Sequence, residues 1–391
     1  MRKFVLLTSI IGSVLCLPLA VSAEESEQDN TEEQTDLAPD AKSAMMIERD
    51  TGKILFDKNA DEQLPPASMT KIMTLLLIME ALDNGEIDQE ETIQVSERAA
   101  SMGGSQIFLE AGEEMTVDNL LKGIAMASGN DASVALAERI AGSEDAFVKQ
   151  MNEKAEKLEL KDTHFENATG LPADNHYSTA QDMAVMAKAL LKYESVTDYT
   201  SIYEDYLRKG EENEFWLVNT NRLVKFYPDV DGLKTGYTNE AKYCLTATAE
   251  RDDMRMIAVV MGAETTKKRN ASITSMLDYA FNQYETKKLY EKGDAITTLD
   301  SLKAEDESID VVTSESVSTI HRKGEEDKDV SESVSIVSDW RLPIQKGEEV
   351  GELVIKNQEE TLSKIPLIAD KDVPKASYFT LLKRTVEQMV K

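Results

Sequence analysis

Three short strings, Ser68-Met-Thr-Lys71, Ser128-Gly-Asn130 and Lys234-Thr-Gly236, lie in this order and far apart in a chain of 391 residues. Each alone is short enough to recur by chance. Their joint presence constrains the fold, because a serine, two lysines, a second hydroxyl and a carboxamide make chemical sense together only around one point. The surrounding sequence places the first at a helix start, the second inside a helical region and the third on a strand. A chain that satisfies all three must be a mixed α/β structure.

The residues around each string give it a physical reading. Pro65-Pro66-Ala67 sets an extended entry, and Ser68 is expected to start an apolar helix running from Thr70 to Leu82 and stopping at Asn84-Gly85. Residues 68 and 71 then share a face, one turn apart, and the helix N-terminus favours negative charge on the serine oxygen. Ser68 is the candidate nucleophile and Lys71 its proton acceptor. Lys71 works as a base only when neutral, so it needs burial and a second cation nearby, for which Lys234 is the candidate.

Lys234 lies in Asp231-Gly-Leu-Lys-Thr-Gly236, a strand on which Gly236 leaves room for an extended substrate to pair along the edge. Lys234 and the Thr235 hydroxyl would hold a terminal carboxylate. The backbone N–H groups of Ser68 and Tyr237 would form an oxyanion hole. Gly129 interrupts an expected helix from Val117 to Ala141, where the Ser128 hydroxyl can relay a proton and the Asn130 amide can bond a peptide backbone.

The chain begins Met-Arg2-Lys3, continues through an apolar run from Phe4 to Leu19 and reaches Val21-Ser22-Ala23, the pattern of a signal peptide over residues 1–23, cleaved after Ala23. Residues 24–37 read as an acidic, disordered spacer. An exported protein follows as the expectation. Cys16 falls in the removed segment, so Cys244 remains alone and no intramolecular disulfide can form. The formal net charge of -30 argues against nucleic-acid binding. His164, His176 and His321 show no metal-ligand spacing, so no metal and no cofactor are expected; His164 and His176 read as structural.

Short apolar runs at Ala44–Ile47 and Ile54–Phe56 flank Asp50-Thr-Gly52 and suggest a hairpin. Helices are expected to dominate up to Leu191, among them Ala146–Leu158. Strands return at Gly232–Tyr237, Tyr243–Ala249 and Met254–Gly262, and an amphipathic helix covers Thr266–Tyr284. The expected catalytic domain is therefore residues 38–285. Residues 286–372 carry short β-branched runs at Ile309–Thr313, Val334–Val337 and Val350–Ile355, with turns at Lys346-Gly347 and Lys356-Asn357, and read as a small all-β domain. Residues 373–391 form a helix with Tyr378, Leu381, Leu382, Thr385, Val386, Met389 and Val390 on one face, too short and charged to span a bilayer. It is expected to lie in a membrane interface or to dock on its own domain.

The runs Leu64-Pro-Pro-Ala-Ser68-Met-Thr-Lys71-Ile-Met-Thr74, Ser128-Gly-Asn130-Asp-Ala132, Phe165-Glu-Asn-Ala-Thr-Gly-Leu171 and Asp231-Gly-Leu-Lys-Thr-Gly236 resemble the serine-type D-alanyl-D-alanine carboxypeptidases, the low-molecular-mass penicillin-binding proteins. The resemblance covers roughly residues 38 to 372. It implies a penicillin-recognising, β-lactamase-like transpeptidase domain with an antiparallel sheet flanked by helices, then a β-sandwich and an amphipathic membrane helix. It also implies removal of the last D-Ala from the pentapeptide stem of peptidoglycan through a Ser68 acyl-enzyme that β-lactams trap. Attachment to the outer face of the cytoplasmic membrane is the localisation it implies. Two positions depart from the common pattern, Gly129 in place of Ala and Tyr237 where some members have His. Three rivals are a β-lactamase, disfavoured because Glu166-Asn-Ala-Thr-Gly170 lacks the Glu-x-x-Leu-Asn loop of class A enzymes, a D,D-endopeptidase, and a sensor or scaffold that acylates without turnover.

Overall fold

The computed structural model describes residues 36–325, 330–338, 340–357 and 360–390. The expected signal peptide and the spacer up to residue 35 lie outside the described residues. The main sheet combines β1 (Ser43–Glu48), β2 (Ile54–Lys58), β3 (Val230–Thr238), β4 (Lys242–Arg251) and β5 (Met254–Ala263) in the order β2-β1-β5-β4-β3, all neighbours antiparallel. The strand expectations hold, each extended by one to three residues.

β5 lies at the sheet's centre, and its run Met-Arg-Met-Ile-Ala-Val-Val-Met-Gly-Ala has almost no polar alternation because both faces are covered. Met256, Ala258 and Val260 point to one face and pack with Ile273, Met276, Leu277 and Phe281 of the helix Thr266–Gln283. Ile257, Val259 and Met261 point to the other, into the core built by the helices that precede the late strands. Each large side chain buried in this way contributes about 1.5–3 kcal/mol relative to exposure.

On that second face lies α1 (Lys71–Asp83), buried almost all round: Ile72, Met73, Leu75, Leu76, Leu77, Ile78 and Met79 leave it no polar stripe. It ends as expected, with Asn84 as cap and Gly85 at φ +68°, the left-handed region that glycine adopts without strain. The helix expected over Val117–Ala141 is in fact two, α2 (Val117–Ala127) and α3 (Asn130–Ala141). Ser128 ends α2 at φ +63° and Gly129 leads into α3, which turns the second string out of the helical ladder. Ser96, Thr116, Ser143, Thr179 and Thr265 each cap a following helix with a side-chain oxygen.

After Tyr284 the chain forms a five-stranded antiparallel sheet in the spatial order Ala295–Asp300, Ser308–Thr313, Glu360–Ala369, Glu349–Asn357, Val330–Ile336, and a two-stranded sheet of Tyr284–Tyr290 with Val317–Arg322. Its core holds Ile309, Val311, Leu353, Ile355 and Leu367. The turn expected at Lys356-Asn357 is a correction: both residues belong to the strand, paired with Thr361 and Glu360. The all-β reading of this segment is otherwise what the structure has. One tie to the main sheet is buried: Ser318 Oγ donates to Asp50 Oδ2 at 2.7 Å.

Candidate active site

Proline rigidity and a tight turn set the first string. Ala67–Thr70 forms one 3-10 turn and the α-helix begins only at Lys71, so Ser68 precedes α1 instead of starting it. The spacing still brings the two side chains together, because residues three apart eclipse in a 3-10 turn. Lys71 Nζ lies 3.2 Å from Ser68 Oγ. It also donates to Asn130 Oδ1 at 2.7 Å and to the Thr169 carbonyl at 2.6 Å.

The Lys71 side chain is fully buried. Burial depresses its pKa well below the usual lysine value; the Lys234 ammonium adds to that, and the Asp131 carboxylate opposes it. A neutral amine has two N–H bonds and one lone pair. The two short contacts account for the N–H bonds, and the direction toward Ser68 Oγ is left for the lone pair.

Lys234 and Thr235 are buried on β3, which is the sheet's edge strand, so alternate backbone groups face the cleft. Lys234 Nζ donates to the Thr235 carbonyl at 3.3 Å, and Thr235 Oγ1 donates to Thr220 Oγ1 at 2.8 Å. Burial lowers the Lys234 pKa to about 7, helped by Arg269. Gly236 has a different reason from the expected one. A Cβ there would stand 2.7 Å from the Pro66 carbonyl oxygen, so glycine lets β3 press against the Ser68 turn.

The second string supplies two distinct groups. Ser128 Oγ is buried and has no hydrogen-bond partner, although its residue is only 3% exposed. A buried hydroxyl left unpaired at this position is free to bond a substrate. The Asn130 amide accepts a hydrogen bond from Lys71 Nζ on Oδ1 and donates through Nδ2 to the Gly103 carbonyl at 2.7 Å, which leaves one Nδ2 hydrogen for a ligand. Tyr237, half exposed, stacks on Tyr243 at 4.4 Å between ring centroids. Hydrogen bonds thus join Ser68, Lys71 and Asn130, the Lys234 charge acts on Lys71, and Gly236 presses against the turn that carries Ser68.

Three positions around the site, Asp131, Arg269 and Thr169, were not assigned from sequence, and His176 was read only as structural. Asp131 accepts from the backbone N–H groups of Ile107, Leu109 and Ala132 and so ties the loop before α2 to the start of α3. Arg269 is buried in the first turn of the helix Thr266–Gln283, near enough to Lys234 to act on its charge. Its signal was the run Lys267-Lys268-Arg269 at a helix N-terminus, where the dipole disfavours cations. Thr169 and His176 belong to a loop that clamps the Ser68 turn. Asn167 Oδ1 shapes that loop by accepting from the N–H groups of Thr169, Gly170 and Leu171.

His176 Nδ1 accepts from the Glu166 N–H at 3.1 Å, which leaves the proton on Nε2, and Nε2 donates to Thr70 Oγ1 at 2.8 Å. Burial, with a smaller effect from His164, lowers its pKa to about 4. The ring is therefore a neutral strut, in keeping with its structural reading. His164, bonded to Asn175, lies in the same outer layer. Gly170 closes the clamp at φ +80°, where a Cβ would fall 1.9 Å from the Ala67 carbonyl oxygen. Gly170→Ala combines left-handed strain with a backbone clash. It is expected to cost about 2–5 kcal/mol, read as a loss of urea midpoint, with loss of reactivity at Ser68.

Among the described residues, no group of three or more His, Cys, Asp or Glu side chains is placed to hold a metal ion. Cys244 is buried and unpaired, and burial pushes its thiol up to about 11, which leaves it unreactive.

A family profile described as D-alanyl-D-alanine carboxypeptidase matches residues 28–265, and one described as the C-terminal domain of penicillin-binding protein 5 matches residues 284–375. The chain is 55% identical over 386 residues to the D-alanyl-D-alanine carboxypeptidase DacF of Bacillus subtilis, covering 99% of each. It is 33% identical to DacA of Escherichia coli, over 87% of this chain and 85% of that one. Among solved structures, penicillin binding protein 5 from Haemophilus influenzae aligns with a TM-score of 0.66 and 30% identity, over 86% of this chain and 98% of that one. Penicillin-binding protein D2 from Listeria monocytogenes in its cefotaxime-bound form aligns with a TM-score of 0.57 and 32% identity, over 62% of this chain and 97% of that one. With a paired serine and lysine, a second lysine on the edge strand and likeness along nearly its whole length, the chain belongs to the D-alanyl-D-alanine carboxypeptidases, the serine hydrolases of the penicillin-binding class.

Proposed function

We propose that the protein removes the C-terminal D-Ala from peptidoglycan pentapeptide stems, with Ser68 as nucleophile and Lys71 as its base. The observation that carries this reading is the Lys71 amine, buried and 3.2 Å from Ser68 Oγ, with its other contacts already made to Asn130 and Thr169. The stem lies along the open edge of β3. Its terminal carboxylate meets Lys234 and the Thr235 hydroxyl, and the Asn130 amide donates to its backbone.

Ser68 Oγ attacks the carbonyl carbon of the penultimate D-Ala while its proton passes to Lys71 Nζ. Negative charge develops on the carbonyl oxygen, held by the N–H groups of Ser68 and Tyr237. The C–N bond then breaks as Ser128 passes its proton to the departing D-Ala amine and takes in exchange the proton that Lys71 holds, which returns Lys71 to the neutral amine. Water attacks the Ser68 ester while Lys71 takes its proton, and Lys71 then returns that proton to Ser68 Oγ as the ester bond breaks and the shortened stem leaves. A β-lactam acylates Ser68 by the same first step, but its opened ring stays attached.

The test is D-Ala release from a D-Ala-D-Ala pentapeptide by purified protein. Acylation without release would make the protein a sensor. Faster cleavage of a cross-linked dipeptide would make it an endopeptidase.

The protein is also proposed to be exported and held at the outer face of the cytoplasmic membrane by the terminal helix α4 (Tyr378–Val390). No helix among the described residues is long and apolar enough to cross a membrane. In support of an interfacial position, Tyr378 and Phe379 are 75% and 81% exposed, and Leu382 and Val386 about half. Arg384, by contrast, turns inward and donates to the carbonyls of Leu302, Ala304 and Glu305. The helix thus docks through a cation and leaves aromatic and aliphatic side chains facing out; Met389 and Val390 of the expected stripe lie outside the described side chains. Deleting residues 374–391 is expected to move the protein from the membrane pellet to the soluble fraction, and continued sedimentation would reject the anchor.

A further inference from the structure

We propose that Asp131 is a positioning residue for acyl transfer: it fixes the Asn130 amide against Lys71, and it supplies the buried negative charge that steadies the Lys71 ammonium formed when Ser68 attacks. The inference rests on the proposed role of Lys71 as the base. Asp131 is buried in the first turn of α3, next to Asn130. Its carboxylate accepts from the Ile107 N–H at 3.1 and 3.0 Å, the Leu109 N–H at 3.1 Å and the Ala132 N–H at 2.9 Å. These partners are all backbone amides, and no ion pair meets the carboxylate among the described residues. The loop it holds is the one that sets Asn130. Nδ2 of Asn130 donates to the Gly103 carbonyl and its backbone N–H to the Ser105 carbonyl, each at 2.7 Å. A Cβ on Gly104 would stand 2.8 Å from Asn130 Nδ2, so the loop lies flush against the amide. Arg208 grips the same loop through the Ile107 and Phe108 carbonyls at 3.1 and 3.3 Å, with its own charge met by Glu113. Without the carboxylate, Ile107 and Leu109 lose their acceptors, and the two carbonyls that anchor Asn130 are released with them.

The charges around Lys71 give the carboxylate its second part. Lys71 meets Ser68 from its own turn, the Thr169 carbonyl from the clamping loop, Asn130 and Asp131 from α3 and Lys234 from β3, while Arg269 acts on Lys234. His176, behind Thr70, is neutral. Asp131 is thus the one carboxylate that acts on Lys71 among the described residues. When Ser68 Oγ attacks, its electron pair forms the new C–O bond and its proton moves to Lys71 Nζ. An ammonium then appears in a site that already holds the Lys234 cation. A fixed carboxylate nearby lowers the cost of that second positive charge, and does so strongly because both groups are out of water. In the free protein the same carboxylate opposes the depression of the Lys71 pKa by burial and Lys234, which keeps the amine a stronger base.

The experiment follows the rate of Ser68 acylation by a fluorescent penicillin against pH, which needs no turnover of peptide. Asp131→Asn keeps the shape, removes the charge and turns one acceptor oxygen into a donor. Its plateau rate is expected to fall about tenfold to a hundredfold, the scale of a slightly misplaced reacting group. Its acidic limb is expected to move to lower pH, because Lys71 loses the charge that favours its protonated form. Asp131→Glu keeps the charge but displaces the N–H contacts, so it should acylate slowly with the acidic limb near that of the native protein. An acidic limb unmoved or raised in Asp131→Asn, or a native rate in either variant, would overturn the inference. Should Asp131→Asn fail to fold by circular dichroism, carboxyl ¹³C spectra of the native protein carry the test. The Asp131 resonance, identified by its loss in Asp131→Glu, is expected to shift at the pH of the acidic limb and to stay constant there in Lys71→Arg; constancy in the native protein would overturn the inference. A native profile with no acidic limb would reject Lys71 as the base, whereas a native limb that Asp131→Asn leaves in place rejects the role of Asp131 alone.

Discussion

Replacing Ser68 with alanine is expected to abolish covalent labelling by penicillin and to cut D-Ala release by roughly 10⁴-fold or more, the scale at which acyl-transfer enzymes lose a nucleophile. The variant should fold normally, since Ser68 Oγ contributes one longer contact to Lys71 while Thr70, Thr74 and Gly170 hold the turn from other directions. Substrate binding should persist, because the carboxylate and backbone contacts lie on β3 and α3. A mass shift of the wild-type protein on β-lactam treatment, absent in the variant, is the direct measurement. Release of D-Ala by both proteins at similar rates would reject the nucleophile.

Lys71→Arg is expected to lower Ser68 acylation by about 10²–10⁴-fold, the usual contribution of a positioned general base. The substitution keeps positive charge but fixes it, since an arginine does not give up its proton at accessible pH. The same reasoning gives the pH profile of the native protein. Lys71 must be neutral to act, and its pKa is held well below the usual lysine value, so kcat/KM should rise with pH and level off far below pH 10.5. Lys234 must be charged to hold a carboxylate, and with a pKa of about 7 it loses that charge in the free protein as pH rises further. Because two buried ammonium groups act on each other, the bell they produce reports the pair. Lys234→Arg keeps the cation at high pH and should push the alkaline limb upward. An alkaline limb unmoved in that variant would reassign the group behind it.

Much of this site was legible in sequence because its chemistry depends on residue types that local structure positions reliably. Ser68 and Lys71 are three positions apart, and whether the turn is α or 3-10 the two side chains meet, so the pairing stood although the helix start did not. Gly129 marked a break in a helical run, and the break is there. The β-branched and apolar runs of β3, β4 and β5 were long enough to show as strands. The paired strands Thr92–Gln94 with Glu114–Thr116, and Glu204–Leu207 with Phe215–Val218, were not, being only three or four residues long.

Local pattern determined which side chains are candidates for the reaction and which elements bear them, since periodicity, turn residues and spacing along the chain act over a few residues. Only the tertiary structure decided what makes them work. The carbonyl of Thr169 that holds Lys71, the neutral His176 strut, the buried Arg269 beside Lys234 and the glycine contacts at Gly170 and Gly236 all join residues distant in sequence. The reason is physical: desolvation, charge proximity and close packing depend on what surrounds a group in space.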